Sequence, residues 1–126
     1  MKNPKIELAF EHRILVVTFM DGAIINTEDL KEIYTFANLK AKAKTYCIIF
    51  EAQNHYEVTD DAIDFIPNNP ENKNVLAKAY VLNTKEAQTK TKLHLLFDHP
   101  SLKPYTFRTL NEARAYLTDI INKEKP

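Results

Sequence analysis

The sequence predicts an α/β fold of element order β-β-α-β-α-β-α-β-α, a five-stranded mixed sheet with helices packed on it. Three observations predict it. Along the 126 residues, hydrophobic spacing switches repeatedly between a period of two and one of about 3.6. The first two strand-like segments are separated only by His12-Arg13, a connection short enough for an antiparallel hairpin. Later strand-like segments alternate with helical ones, as in a parallel sheet built with crossovers. The length suits one domain over 1–126, with the tail over 122–126 expected to fray. No internal repeat or low-complexity stretch interrupts it.

In the first strand Ile6, Leu8 and Phe10 alternate with Lys5, Glu7 and Glu11, giving one wet face. Ile14 to Phe19 is apolar on both faces and belongs deeper in the sheet. Met20-Asp21-Gly22 turns the chain, with glycine available where φ must be positive. The first helix should start at Asn26 or Thr27 as cap, with Glu28 and Asp29 suiting its positive end. Leu30, Ile33, Tyr34, Ala37 and Ala41 then form one core-facing stripe. Tyr46 to Phe50 is a continuously apolar strand, so Cys47 is expected to be buried and inert.

The second helix should open at Thr59, carry Ala62, Ile63 and Ile66 inward, and stop around Pro67. Asn68 to Asn72 reads as a surface connection. Val75 to Leu82 is the fourth strand, in which Lys78 is expected to reach water or a partner. A third helix should begin at Asn83-Thr84, polar through Lys92 and apolar at Leu93, Leu95, Leu96 and Phe97. Tyr105 to Phe107 is the last strand. Thr109-Leu110-Asn111-Glu112 then reads as a capping box, hydroxyl and carboxylate each satisfying a backbone amide. Leu110, Ala113, Leu117, Ile120 and Ile121 line the final helix.

Composition narrows the function. Lys+Arg and Asp+Glu are 17 each, so the formal charge is zero and the basic footprint of nucleic-acid binding is missing. No apolar run approaches the roughly 20 residues of a membrane span. The first residues lead into no signal-peptide core. The single cysteine excludes an intrachain disulfide and a multi-thiolate metal site, and the single glycine excludes a Gly-rich phosphate cradle. His94 and His99 lie five apart, about 140° around a helix, whereas zinc on a helix wants i, i+4. The lone serine, Ser101, has no nucleophile elbow around it. No metal and no cofactor are expected.

Two polar features remain. From Glu51 to Asp64 the chain holds Glu51, His55, Tyr56, Glu57, Thr59, Asp60, Asp61 and Asp64, with no lysine or arginine. In open α/β sheets, sites collect where strand ends face helix starts. Helix-start chemistry accounts for much of this segment, since Thr59 caps and Asp60 and Asp61 complement the dipole. The other feature, Lys85 to Lys92, reads as a solvated helix face or as a basic patch for an acidic partner.

Ala77-Lys78-Ala79-Tyr80-Val81-Leu82-Asn83-Thr84, Pro104 to Thr109 and Glu112 to Leu117 resemble the fourth strand, last strand and final helix of STAS-like (SpoIIAA-like) proteins. Small bacterial members with an opening hairpin are the nearest in pattern, and the resemblance covers most of the chain. It implies a compact, non-enzymatic, regulatory domain of the bacterial cytoplasm whose partner is another protein. In anti-sigma factor antagonists of this family a serine in an Asp-Ser-Ser/Thr-Gly motif is phosphorylated. Thr59 falls near that place, but neither serine nor glycine follows it. A switch that is lost, or that never existed, is the better inference.

The residues for partner binding or regulation are therefore Glu57, Thr59, Asp60 and Asp61. The alternative is a small-molecule binder or enzyme with a pocket at His55 and Tyr56, near Phe65. A homo-oligomeric structural role is a third reading. A concave apolar pocket near His55 with strongly perturbed titrating groups would favour the second, and an exposed apolar patch the third.

Overall fold

The computed structural model describes residues 4–42, 44–51, 56–68, 74–81 and 104–123. The opening hairpin forms as expected. β1 (Ile6–Glu11) pairs antiparallel with β2 (Ile14–Phe19) through a two-residue turn. Both turn residues, His12 (φ 53°) and Arg13 (φ 63°), are left-handed, as a hairpin of this length requires, although neither is glycine. Arg13 is held from the adjacent strand start: its Nε donates to the Thr45 carbonyl at 2.9 Å and its Nη2 to the Thr45 hydroxyl. Its own carbonyl accepts the Cys47 amide at 2.9 Å.

Gly22 (φ 77°) turns the chain after β2, where left-handed backbone favours a residue without a Cβ. The next segment departs from expectation. Ala23–Ile25 is a third strand, β3, which pairs in parallel with another short strand, β5 (Tyr56–Val58). This separate two-stranded sheet adds two elements to the order expected from the sequence. Three residues on each side carry no period of their own, and only their mutual pairing makes them strands. The Thr59 amide extends the ladder by donating to the Ile25 carbonyl at 2.9 Å.

α1 (Thr27–Ala41) starts at Asn26, whose side chain accepts the Asp29 amide at 3.0 Å. Asp29 Oδ2 accepts the Asn26 amide at 2.9 Å, closing a capping box. The same oxygen accepts from Lys5 Nζ at 2.6 Å, and Lys5 also donates to the Ile24 carbonyl at 3.1 Å. Asp29 is thus a buried junction between β1, β3 and α1, more than the dipole complement read from the sequence. The helix ends on left-handed Lys42.

The main sheet has the order β1-β2-β4-β6-β7, with β4 (Tyr46–Glu51), β6 (Val75–Val81) and β7 (Pro104–Phe107) all parallel to β2. Ladder register shifts between Tyr46 and Cys47, which pair with Val75 and Ala77, so Leu76 is the extra residue of a bulge. α2 (Asp60–Asn68) and α3 (Leu110–Lys123) complete the described elements. Ala62 of α2 is buried, as expected. The side chains of Ile63 and Ile66, and the helix expected from Asn83-Thr84, lie outside the described residues.

Helices cover both faces. One face places Leu15, Val17, Tyr46, Ile48 and Tyr80 against α1 and Ala62. The other places Val16, Cys47, Ile49, Ala77 and Ala79 against Ala113 and Leu117 of α3. Cys47 is buried in the central strand. Thr109 caps α3, its hydroxyl accepting the Glu112 amide at 3.2 Å. The Glu112 carboxylate accepts from that hydroxyl at 3.0 Å, so the box closes through the side chain where a backbone amide was expected. Of the two expectations for Lys78, water or a partner, the structure meets the second, since it has an interaction within the protein. It is 1% exposed, so its side chain stays inside the fold.

Candidate functional site

The acidic segment is built on β5 and the start of α2. Strand alternation turns Glu57 to solvent while Tyr56 on the same strand is buried. Thr59 comes next, half-buried, its hydroxyl accepting the Ala62 amide at 3.3 Å as the cap of α2. Asp60 and Asp61 occupy the first turn of α2, both exposed, and Asp64 is exposed one turn on. Glu57, Asp60 and Asp61 thus form a solvent-facing acidic rim. Its backbone is fixed at Thr59 by the pairing to Ile25. His55 lies outside the described residues, as does the Lys85–Lys92 stretch.

Tyr56 leads elsewhere. It joins Phe19, Leu30, Ile33, Tyr34, Phe50, Val58, Lys78 and Tyr80 around a cavity between α1 and the carboxyl ends of β2, β4 and β6. The cavity holds about 510 Å³ of atom-free space counted out to its open mouth, with room for water centres in about 40 Å³ of it. A row of rings forms much of the wall. Phe19 and Phe50 stack at 6.0 Å between centroids, Phe50 and Tyr80 at 5.3 Å, and Tyr56 lies 4.8 Å from Phe19. Register explains the row, since Phe50 is paired with Tyr80, and Phe19 lies two residues beyond Phe50's partner Val17 on the same face.

Of the residues expected to line a pocket, the structure brings Tyr56 into one and places Phe65 against the neighbouring core. The sequence reading missed Phe19, Phe50, Tyr80 and Lys78. A signal was available: each aromatic stands at or near the end of its strand, and Lys78 stands two before Tyr80, hence on its face. Such a concave, mostly apolar site with few polar groups is the usual form of a small-molecule pocket. Among the described residues, no three His, Cys, Asp or Glu converge as a metal centre would need, and no helix is long and apolar enough to cross a membrane.

A five-stranded mixed sheet flanked by helices, with a cavity at its parallel strand ends, defines an α/β domain of SpoIIAA-like fold. The chain is similar in structure to an uncharacterised protein of the DUF3478 family from Shewanella loihica PV-4, itself described as SpoIIAA-like in fold. The TM-score is 0.60 at 12% identity, covering 89% of this chain and 91% of that one. At that identity the likeness shows the fold alone. The sequence model of a domain of unknown function, DUF7793, matches residues 8–121, and the chain belongs to that family. No curated protein matches the sequence.

Proposed function

We propose that the chain is a non-enzymatic STAS-like interaction domain, regulatory in role, from a bacterial cytoplasmic protein. Its partner is another protein that docks through basic groups on the rim of Glu57, Thr59, Asp60 and Asp61. The observation that carries this reading is the rim itself. Three exposed carboxylates stand together on backbone pinned by β3 and by the Thr59 cap. Such a fixed field raises the association rate of a basic partner, and salt weakens it.

The test takes a partner captured from lysate of the native organism and measures its affinity for wild type and for Asp60→Asn/Asp61→Asn. The double variant keeps the Thr59 cap. Weaker binding at low salt, with the difference shrinking at physiological salt, supports the rim. Equal affinities at both salt levels reject it.

A second reading, a small-molecule-binding protein, is favoured by the cavity with Tyr56 in its wall. Occupancy of that cavity would act on the same strand that carries Glu57.

A further inference from the structure

We propose that β1 is the interface of a homodimer, in which two copies pair their β1 strands antiparallel about a two-fold axis and join their sheets into one. This goes beyond the reading of the acidic rim and does not depend on it. Four observations carry the assignment.

The first is the open ladder. In the order β1-β2-β4-β6-β7, β1 stands at one end, so among the described residues no strand lies against its outer side. The Met20 amide donates to the Lys5 carbonyl at 2.9 Å, and the pairs of an antiparallel ladder alternate. Lys5, Glu7, Ala9 and Glu11 therefore turn their backbone groups to β2, and Ile6, Leu8 and Phe10 turn theirs outward. The second is the contrast with the far end of the sheet. β7 is four residues long and opens on Pro104, and shortness and proline both blunt an edge against pairing. β1 is six residues long, holds no proline and runs along β2 without a register shift.

The third is register. A two-fold axis at Leu8 sets Leu8 against Leu8 of the other copy and Ile6 against Phe10, so every outward amide and carbonyl meets a partner. On the solvent-facing side, Glu7 then falls opposite Ala9 and Glu11 opposite Lys5, with no two carboxylates opposed. Sliding one copy to the next register of like facing sets Glu7 against Glu7 in one direction and Glu7 against Glu11 in the other. Like charges directly opposite are unfavourable. Charge thus selects the register that also completes the ladder. The fourth is apolar surface. Leu8 and Phe10 are only half-buried within one copy, packed against the core on the α1 side. Pairing sets Leu8 on Leu8 and Phe10 on Ile6 across the axis, which takes more of that surface from water.

The test follows full-length protein by sedimentation velocity over a concentration series. At high concentration the expected mass is twice the 14.6 kDa of one chain. Ala9 is exposed, so a charge placed there leaves the fold of one copy intact. Ala9→Glu opposes Glu7 with a like charge at both symmetry-related places and should weaken the dimer roughly tenfold. Ala9→Lys should strengthen it by a similar factor. Glu7→Lys combined with Ala9→Glu restores opposite charges and should return the affinity to that of wild type. Exchange of the Leu8 amide proton should slow as concentration rises, whereas that of Ala9, turned to β2 in either state, should not.

A monomer at every concentration up to the millimolar range would overturn the dimer. A dimer of the same affinity in wild type, Ala9→Glu and Ala9→Lys would overturn the β1 interface. A dimer weakened by Ala9→Glu and not restored in the double variant would overturn the register.

Discussion

The two faces of the sheet are packed on opposite plans. Under α3 the sheet presents Cys47, Ala77 and Ala79 beside Val16 and Ile49, and the helix answers with Ala113 and Leu117. Small side chains let helix and sheet approach closely and fill the space between them. Under α1 the sheet presents Phe19, Tyr46, Phe50 and Tyr80, and rings of that size meet edge to face or stacked without filling every gap. The aromatic-walled cavity lies on that side. One face is therefore closely filled, and the other leaves a cavity open.

This contrast is sharpest when residues are shortened or lengthened on either side. Leu117→Ala removes a fully buried side chain from the tight face and should cost about 2–5 kcal/mol. Labelling of the Cys47 thiol under native conditions should quicken with it, since that thiol lies beneath α3. A denaturation midpoint that does not move would erase the contrast. Ala79→Leu overfills the same face and should cost about 1–3 kcal/mol. Full stability in that variant would mean that the α3 face has slack after all.

Thr109→Ala loosens the start of α3 without touching the sheet, at a cost of about 0.5–2 kcal/mol in chemical denaturation. An unchanged stability would place the helix's anchoring in its apolar stripe alone. The smallest effect belongs to the other face. Val58→Leu adds one methylene at the cavity wall and should change stability by less than about 1 kcal/mol in either direction. A larger loss there would show that the α1 face is as full as the α3 face.

The tight face was more legible in the sequence than the open one. Ala113, Leu117 and Cys47 follow from helical spacing and from a continuously apolar strand, patterns that local periodicity carries. The cavity depends on three strands ending level with one another, and periodicity says nothing of how strands align. Lys78 shows the difficulty in one residue. In an apolar strand a lysine must reach water or a partner, and which face it takes depends on the bulge at Leu76, which resets the alternation. Val75 and Ala77, two apart, consequently face opposite ways. The acidic rim was legible as composition and as helix-start chemistry. Its anchoring to β3 was not, because the Ala23–Ile25 and Tyr56–Val58 partners lie far apart in the chain.

That small parallel sheet also bears on how the molecule opens locally. Each of its two strands follows a strand of the main sheet in sequence, β3 after β2 and β5 after β4. It holds few backbone bonds, so although Ile25 and Tyr56 are buried, its opening is expected to cost less than that of the central strands. In amide hydrogen exchange the Thr59 proton, bonded to Ile25, should therefore be replaced sooner than that of Ile49 in the central strand. Anything that settles against Tyr56 would slow that replacement.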